Sequence, residues 1–130
     1  MKKISIITLL SLLALSVRAQ SLKTDRLVYS WKNMKNMVVS SAERMPEEFY
    51  DFTPAEGISS YGALVKHITT SNRYFSTMVS GGSPQSIGAA NKNTLQNMKT
   101  KADIIKDLES SFDYVIGKLT QISNYDEEMS

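Results

Sequence analysis

The sequence contains no cysteine and only one histidine, His67, in 130 residues. The lack of cysteine excludes disulfides, thiolate metal ligands and a cysteine nucleophile. A catalytic metal typically uses about three protein ligands and one open position, so one imidazole cannot form a histidine-rich site alone. A metal site that uses His67 would therefore need further ligands that are not histidines of this sequence.

The sequence also lacks an apolar run long enough for a stable membrane anchor. Lys2 and Lys3 precede a largely apolar stretch over residues 4–17, which ends in the small-residue cleavage pattern Val17-Arg18-Ala19. This stretch is shorter than the roughly 20 residues needed to span a bilayer. We expect residues 1–19 to be a signal peptide and the mature chain, exported to the periplasm or the extracellular space, to begin at Gln20.

An excess of basic charge is absent from the predicted mature chain. The full sequence has a net charge of +2, with 15 basic and 13 acidic side chains, and the signal peptide contains three of the basic ones. The remaining 12 basic side chains face 13 acidic ones, and Lys92, Lys99, Lys101 and Lys106 are spread through a predicted loop and a helix start rather than gathered in one stripe. Nucleic acid is therefore not an expected partner.

Three segments have helical periodicity and none has sustained strand alternation, which predicts an all-α fold. The first covers residues 22–45 and ends before Pro46, which disfavours helix in the residue preceding it. The second begins after a Ser59 or Ser60 cap and ends at Gly81-Gly82. Its expected core stripe consists of Tyr61, Leu64, Val65, Ile68, Phe75 and Val79.

The third helix has a capping-box-like start, with Thr100 as cap and Asp103 three residues later, and is expected to end near Ser123. The stretch from Ser83 to Lys99 is polar and is predicted to be a loop with one helical turn near residues 95–98. Residues 124–130 form an acidic tail without an expected fold. We therefore predict one helical domain over residues 20–123.

The connection over residues 46–59 contains Phe49, Tyr50 and Phe52. We expect these rings to fold over one end of the bundle as a lid, with ligand stacking as the alternative.

The stretch from Met45 to Ile68, MPEEFYDFTPAEGISSYGALVKHI, resembles the DinB-like family, which includes the YfiT-type thiol transferases. The helix with Trp31, the Gly-Gly-Ser-Pro turn and the helix containing Ser110-Ser-Phe-Asp-Tyr-Val extend the resemblance over nearly all of the predicted mature chain. The resemblance implies an up-down-down-up four-helix bundle, often a homodimer.

The resemblance also implies a divalent metal, such as zinc, nickel or manganese, held by three histidines. His67 matches the first ligand, from the second helix. The other two normally form a His-x-x-x-His pair on a fourth helix, and this sequence contains no such pair. We therefore expect a truncated bundle that lacks most or all of its fourth helix.

Two functions follow as alternatives. The first is a metal-dependent enzyme of thiol-transferase or hydrolase type, incomplete or inactive as given, that acts on a small-molecule substrate or a thiol cofactor. The second is a non-catalytic exported bundle that binds a partner helix or a small hydrophobic ligand. By spacing alone, His67 lies on the flank of the second helix, where a histidine bonded to backbone or solvent is the competing interpretation.

Overall fold

The structure is a computed structural model that describes residues 6–128, and this part of the chain is all-α. It consists of α1 (Ile6–Arg44), a 3-10 turn (Glu47–Phe49), α2 (Tyr61–Val79), α3 (Pro84–Asn97) and α4 (Lys101–Glu128). Residues 6–128 contain no strand, which confirms the predicted fold class. None of the described helices is both long and apolar enough to cross a membrane.

Helix α1 is longer than predicted, because it begins at Ile6 rather than near Leu22. Residues 1–5 of the predicted signal peptide lie outside the described residues, and its cleavage stays a prediction. At the other end of α1, the Lys101 ammonium donates to the carbonyls of Glu43 (2.8 Å) and Met45 (2.7 Å). A cation at this position satisfies free carbonyls and complements the negative end of the helix dipole.

The predicted loop after Ser83 is wrong, because residues 84–97 form α3. Pro84 occupies the first helical position, where its missing amide hydrogen has no cost. Ile87 is buried, and the Asn91 side-chain amide donates to the Thr70 carbonyl at 3.2 Å. Contacts with α2 therefore stabilise α3. Its polar sequence lacks the apolar periodicity that would have predicted a buried face.

The predicted start of the last helix is confirmed. The Asp103 amide donates to Thr100 Oγ1 at 3.1 Å, and the Thr100 amide donates to Asp103 Oδ2 at 2.9 Å, which is a reciprocal capping box. Bonds from the Thr100 side chain and backbone lower the pKa of Asp103. The predicted end near Ser123 is wrong, because α4 continues through most of the acidic tail to Glu128; Met129 and Ser130 lie outside the described residues.

Helix α4 packs against both α1 and α2, and α3 packs on α2. Trp31 of α1 lies 5.8 Å from Phe112 of α4 between ring centroids. On the surface of the same interface, Lys35 contacts Asp113 at 2.7 Å. The main core cluster consists of Val39, Ala42, Tyr50, Val65, Met98, Ile104, Leu108 and Phe112.

Candidate functional site on α2

Both ends of α2 are fixed by local hydrogen bonds. Ser60 is its N-cap, as predicted, and its hydroxyl oxygen accepts from the Ala63 amide at 3.2 Å. At the C-terminus, the Gly81 and Gly82 amides donate to the Met78 and Thr77 carbonyls, and Gly81 has a φ of 79°. This is the Schellman pattern, in which glycine provides the left-handed residue after the helix.

The start of α2 is held against the preceding connection by Tyr50 and Gly62. The Gly62 amide donates to the Tyr50 carbonyl at 2.8 Å, and a Cβ on Gly62 would lie only 2.9 Å from that oxygen. The buried Tyr50 hydroxyl donates to the Ala42 carbonyl at 2.6 Å, and burial raises its pKa. Tyr50 therefore connects α1 to the first turn of the helix that contains His67.

Of the three aromatic residues in this connection, Tyr50 alone forms the predicted lid. Its ring packs edge-on against Tyr61 at 5.4 Å between centroids. Phe49 and Phe52 contact each other and stay about half exposed. The lid expectation is wrong for these two rings, because they pack on each other and not on the core cluster.

The face of α2 that is buried against α4 is largely polar. The Asn72 amide donates to Ser111 Oγ at 3.1 Å, and the Ser111 hydroxyl donates to the Leu108 carbonyl at 2.7 Å. Thr69 and Ser76 are also buried and bond to carbonyls one turn earlier. Because these buried polar groups form hydrogen bonds, burying them costs little free energy. The interface between α2 and α4 therefore does not need a continuous apolar stripe.

The sequence prediction placed Leu64 and Phe75 in the core, and this is wrong. Leu64 is 50% exposed and Phe75 is 65% exposed. They lie on the outward side of α2 because Val65, Thr69, Asn72 and Ser76 are turned toward α4. Val65, from the same predicted stripe, is fully buried as expected.

The outward side of α2 is a mainly apolar surface that contains His67. At 100° per residue its members fall within an arc of about 100°, and we call it the His67 face: Leu64, His67, Ser71, Tyr74, Phe75 and Met78. All of these except Ser71 are exposed, and Ser71 is half-buried. His67 thus lies on an exposed, mainly apolar surface, toward the edge of the arc that Tyr74 occupies.

The chain by itself does not provide a complete metal site among the described residues. No group of three histidine, aspartate or glutamate side chains there is close enough to hold a metal ion. Glu47 and Glu48 are exposed and lie on the 3-10 turn, whereas His67 lies on α2, and they do not form a ligand group with it. His67 alone fits the role of one ligand, and a full site would need ligands from outside the described residues.

Ser71 is a neighbour of His67 that the sequence reasoning did not single out as a partner. Its hydroxyl lies 3.5 Å from His67 Nε2, one helical turn away, which is a long contact. The i, i+4 spacing on one helix face is the signal that would have found it. Three other serines have structural partners: Ser60 caps α2, Ser111 bonds to Asn72, and Ser110 lies 3.5 Å from Arg73.

A small apolar cavity of about 190 Å³ lies where α1, α2 and α4 meet. Trp31 lines it from α1, Phe75 and Asn72 line it from α2, and Val115 and Leu119 line it from α4. Phe75 thus borders both the cavity and the His67 face. Trp31 is half-buried at the cavity wall and packs against the core cluster.

The chain matches no family model, and searches of curated proteins and of solved structures find no match to it either.

Proposed function

We propose that this chain is an incomplete DinB-like metal-dependent bundle that contributes one ligand, His67, to a divalent metal. The remaining ligands would come from a further helix that packs on the His67 face. The supporting observation is the position of His67 on an exposed, mainly apolar helix surface. A histidine with a purely local role has no need of such surroundings, whereas a ligand shared with a covering helix does.

In the related transferases and hydrolases that the resemblance implies, the metal would lower the pKa of a bound thiol or water and so supply a nucleophile near neutral pH. Zinc, nickel and manganese are the candidate ions. In this chain, His67 would bind the metal as neutral imidazole, and the Ser71 hydroxyl would orient the ring. Leu64 and Phe75, once covered, would keep water away from that ring. Catalysis by the chain alone is not part of the proposal.

The first experiment uses the single histidine as its own probe. A protein with one imidazole gives one set of imidazole proton signals by NMR, and the single tryptophan, Trp31, gives one indole NH signal. Substoichiometric Ni²⁺ or Mn²⁺ should broaden the imidazole signals and leave the indole signal sharp. Equal broadening of both signals, or of neither, would contradict ligation by His67.

The second experiment supplies the missing ligands in trans. A designed amphipathic peptide with an apolar stripe and one His-x-x-x-His pair should bind the wild-type protein more tightly with Zn²⁺ than with a chelator. His67→Ala should abolish that zinc dependence. Lys66→Ala, next to it on the same helix but not on the His67 face, is the matched control and should keep it. Equal zinc dependence in wild type and His67→Ala would overturn the proposal.

A second candidate is a non-catalytic bundle that binds a partner helix on the same face, or forms a homodimer through it. Exposed apolar side chains on α1, namely Leu27, Met34 and Met37, favour this alternative because they add to the apolar area that the bundle leaves uncovered. Sedimentation would then show metal-independent self-association that Phe75→Ser weakens. A monomer at all concentrations would count against the homodimer.

The localisation proposal is export with cleavage after Ala19. Its support is the Lys2-Lys3 start, the apolar stretch and the small-residue cleavage pattern. N-terminal sequencing of protein recovered outside the cytoplasm should begin at Gln20. Recovery of protein with an intact Met1 would contradict it.

A further inference from the structure

The cavity at Trp31 has the size and lining of a small-ligand site rather than of a packing defect. Its volume is about 190 Å³, and its walls are almost entirely apolar: Trp31, Phe75, Val115, Leu119 and Ile122. Dry apolar cavities of roughly 150 Å³ accept guests of benzene size. The space therefore suits one aromatic ring or a short alkyl chain.

Two polar side chains at the wall of this cavity, Asn72 and Ser76, already form hydrogen bonds within the protein. The Asn72 amide donates to Ser111, and the Ser76 hydroxyl donates to the Asn72 carbonyl. A ligand that places polar groups deep in the cavity would have to compete with these two hydrogen bonds. Its inner part must therefore be apolar.

Lys118 gives the site a positive group. It lines the cavity and is half-buried, and its ammonium lies 5.6 Å from the Tyr114 ring centroid. Among residues 24–122, where the structure describes side chains, no carboxylate lies within ion-pair distance of it, unlike Lys35, which contacts Asp113 at 2.7 Å. An anionic group at the cavity entrance would meet the Lys118 charge without entering the apolar interior.

We propose that this cavity binds a small amphiphilic carboxylate, with a single ring or short alkyl group against Trp31 and the carboxylate at Lys118. The proposal stands apart from the metal proposal, since it uses no residue that would hold the metal. Such a ligand has few heavy atoms, so the expected dissociation constant is about 1 mM or somewhat tighter.

The single tryptophan makes the test direct. 3-Phenylpropionate titrated into the full chain should change Trp31 fluorescence in a saturable manner. Its neutral amide should bind about threefold more weakly, in keeping with a partly exposed charge pair. Lys118→Met should remove this preference, whereas Lys106→Met, the same change on the same helix away from the cavity, should preserve it.

A cavity-filling variant separates binding in the cavity from binding elsewhere. Ser76→Leu places a larger side chain at the cavity wall and should abolish the response, while Ser80→Leu, one turn further along and outside the lining, should leave it unchanged. Val115→Phe is a second filling variant, and circular dichroism checks that each variant folds. Saturable binding that survives both filling variants in folded protein, or no binding to wild type at 10 times the expected dissociation constant of about 1 mM, would overturn the proposal.

Discussion

Gly62 and Gly117 lie in helices of the same protein, and we predict that the same substitution has opposite effects at the two positions. An alanine in place of a helical glycine usually stabilises a protein by about 0.5–1 kcal/mol, because the unfolded chain loses conformational freedom. Gly117 is exposed on α4, and no atom lies within 4 Å of the position that an added methyl group would take, so Gly117→Ala should show this gain.

At Gly62 the added methyl group would lie 2.9 Å from the Tyr50 carbonyl oxygen and 3.2 Å from its ring. The first contact is with backbone, so relief requires the Tyr50 segment to move. That movement weakens the hydrogen bond from the Gly62 amide, worth about 0.5–1.5 kcal/mol, and overpacking adds about 1–3 kcal/mol. After the helical gain is subtracted, Gly62→Ala should destabilise the fold by roughly 1–3 kcal/mol.

The assay is urea unfolding followed by circular dichroism, with thermal unfolding as a second measurement. Gly62→Ala should lower the melting temperature by at least about 4 °C, and Gly117→Ala should raise it by a few degrees. If Gly62→Ala were as stable as wild type, the close approach of Tyr50 to α2 would not exist, and Tyr50 would have no part in positioning the His67 helix.

Three further predictions concern stability, and they follow from the shifted pKa values of Tyr50 and Asp103 and from the burial of Phe112. Since burial raises the pKa of Tyr50 above its ordinary value of 10.0, its contribution to stability is complete below that value and is lost as pH rises through the raised pKa. Tyr50→Phe should therefore reduce alkaline destabilisation in urea titrations, and an unchanged alkaline profile would contradict this. The pKa of Asp103 is lowered by Thr100, so the stability it adds is present above the ordinary carboxyl value and is lost as pH falls through the lowered one. Asp103→Asn should accordingly destabilise the protein at neutral pH and make little difference in strong acid, whereas a constant difference at all pH values would refute the capping role of its carboxylate. Phe112→Ala should cost about 3–5 kcal/mol in urea unfolding, because the ring is fully buried, and should shift Trp31 emission; a loss below about 1 kcal/mol would show a loosely packed core.

Helix ends were predictable from the sequence where the signal is local. Ser60 and the Thr100–Asp103 pair cap α2 and α4 as expected, because capping depends on residues within one turn. Pro46 and Gly81 likewise mark stops that depend on their own backbone preferences.

The missed elements depend on contacts between segments. Helix α3 has a face formed by Ile87, Asn91 and Thr94, in which two of three residues are polar. Apolar periodicity cannot detect such a face, because its stabilisation includes the bond from Asn91 to the Thr70 carbonyl of another helix. The rotation of α2 was missed for the same reason, since the bond from Asn72 to Ser111 turns a polar side inward.

The candidate site was predictable only in part. The sequence identified His67 and placed it on the flank of its helix, and the structure places it on the exposed side of α2. Its role as a metal ligand stays a prediction, since the described residues contain no set of three ligands. The cavity at Trp31 could not be foreseen, because its walls come from three helices that are distant in sequence.

The exposed apolar area of the His67 face is too small to hold a partner tightly by itself. Leu64, Tyr74, Phe75 and Met78 are 50%, 38%, 65% and 40% exposed, so covering them would contribute roughly 1 kcal/mol each. The resulting sum of about 4 kcal/mol only reaches the lower end of the estimated cost of association in translational and rotational freedom, about 4–15 kcal/mol. A covering helix therefore needs a further interaction, either the exposed methionines of α1 or a metal shared with His67. Only the second makes association depend on zinc, which is why the zinc dependence of peptide binding, and its loss in His67→Ala, decides between a metal centre and a simple binding surface.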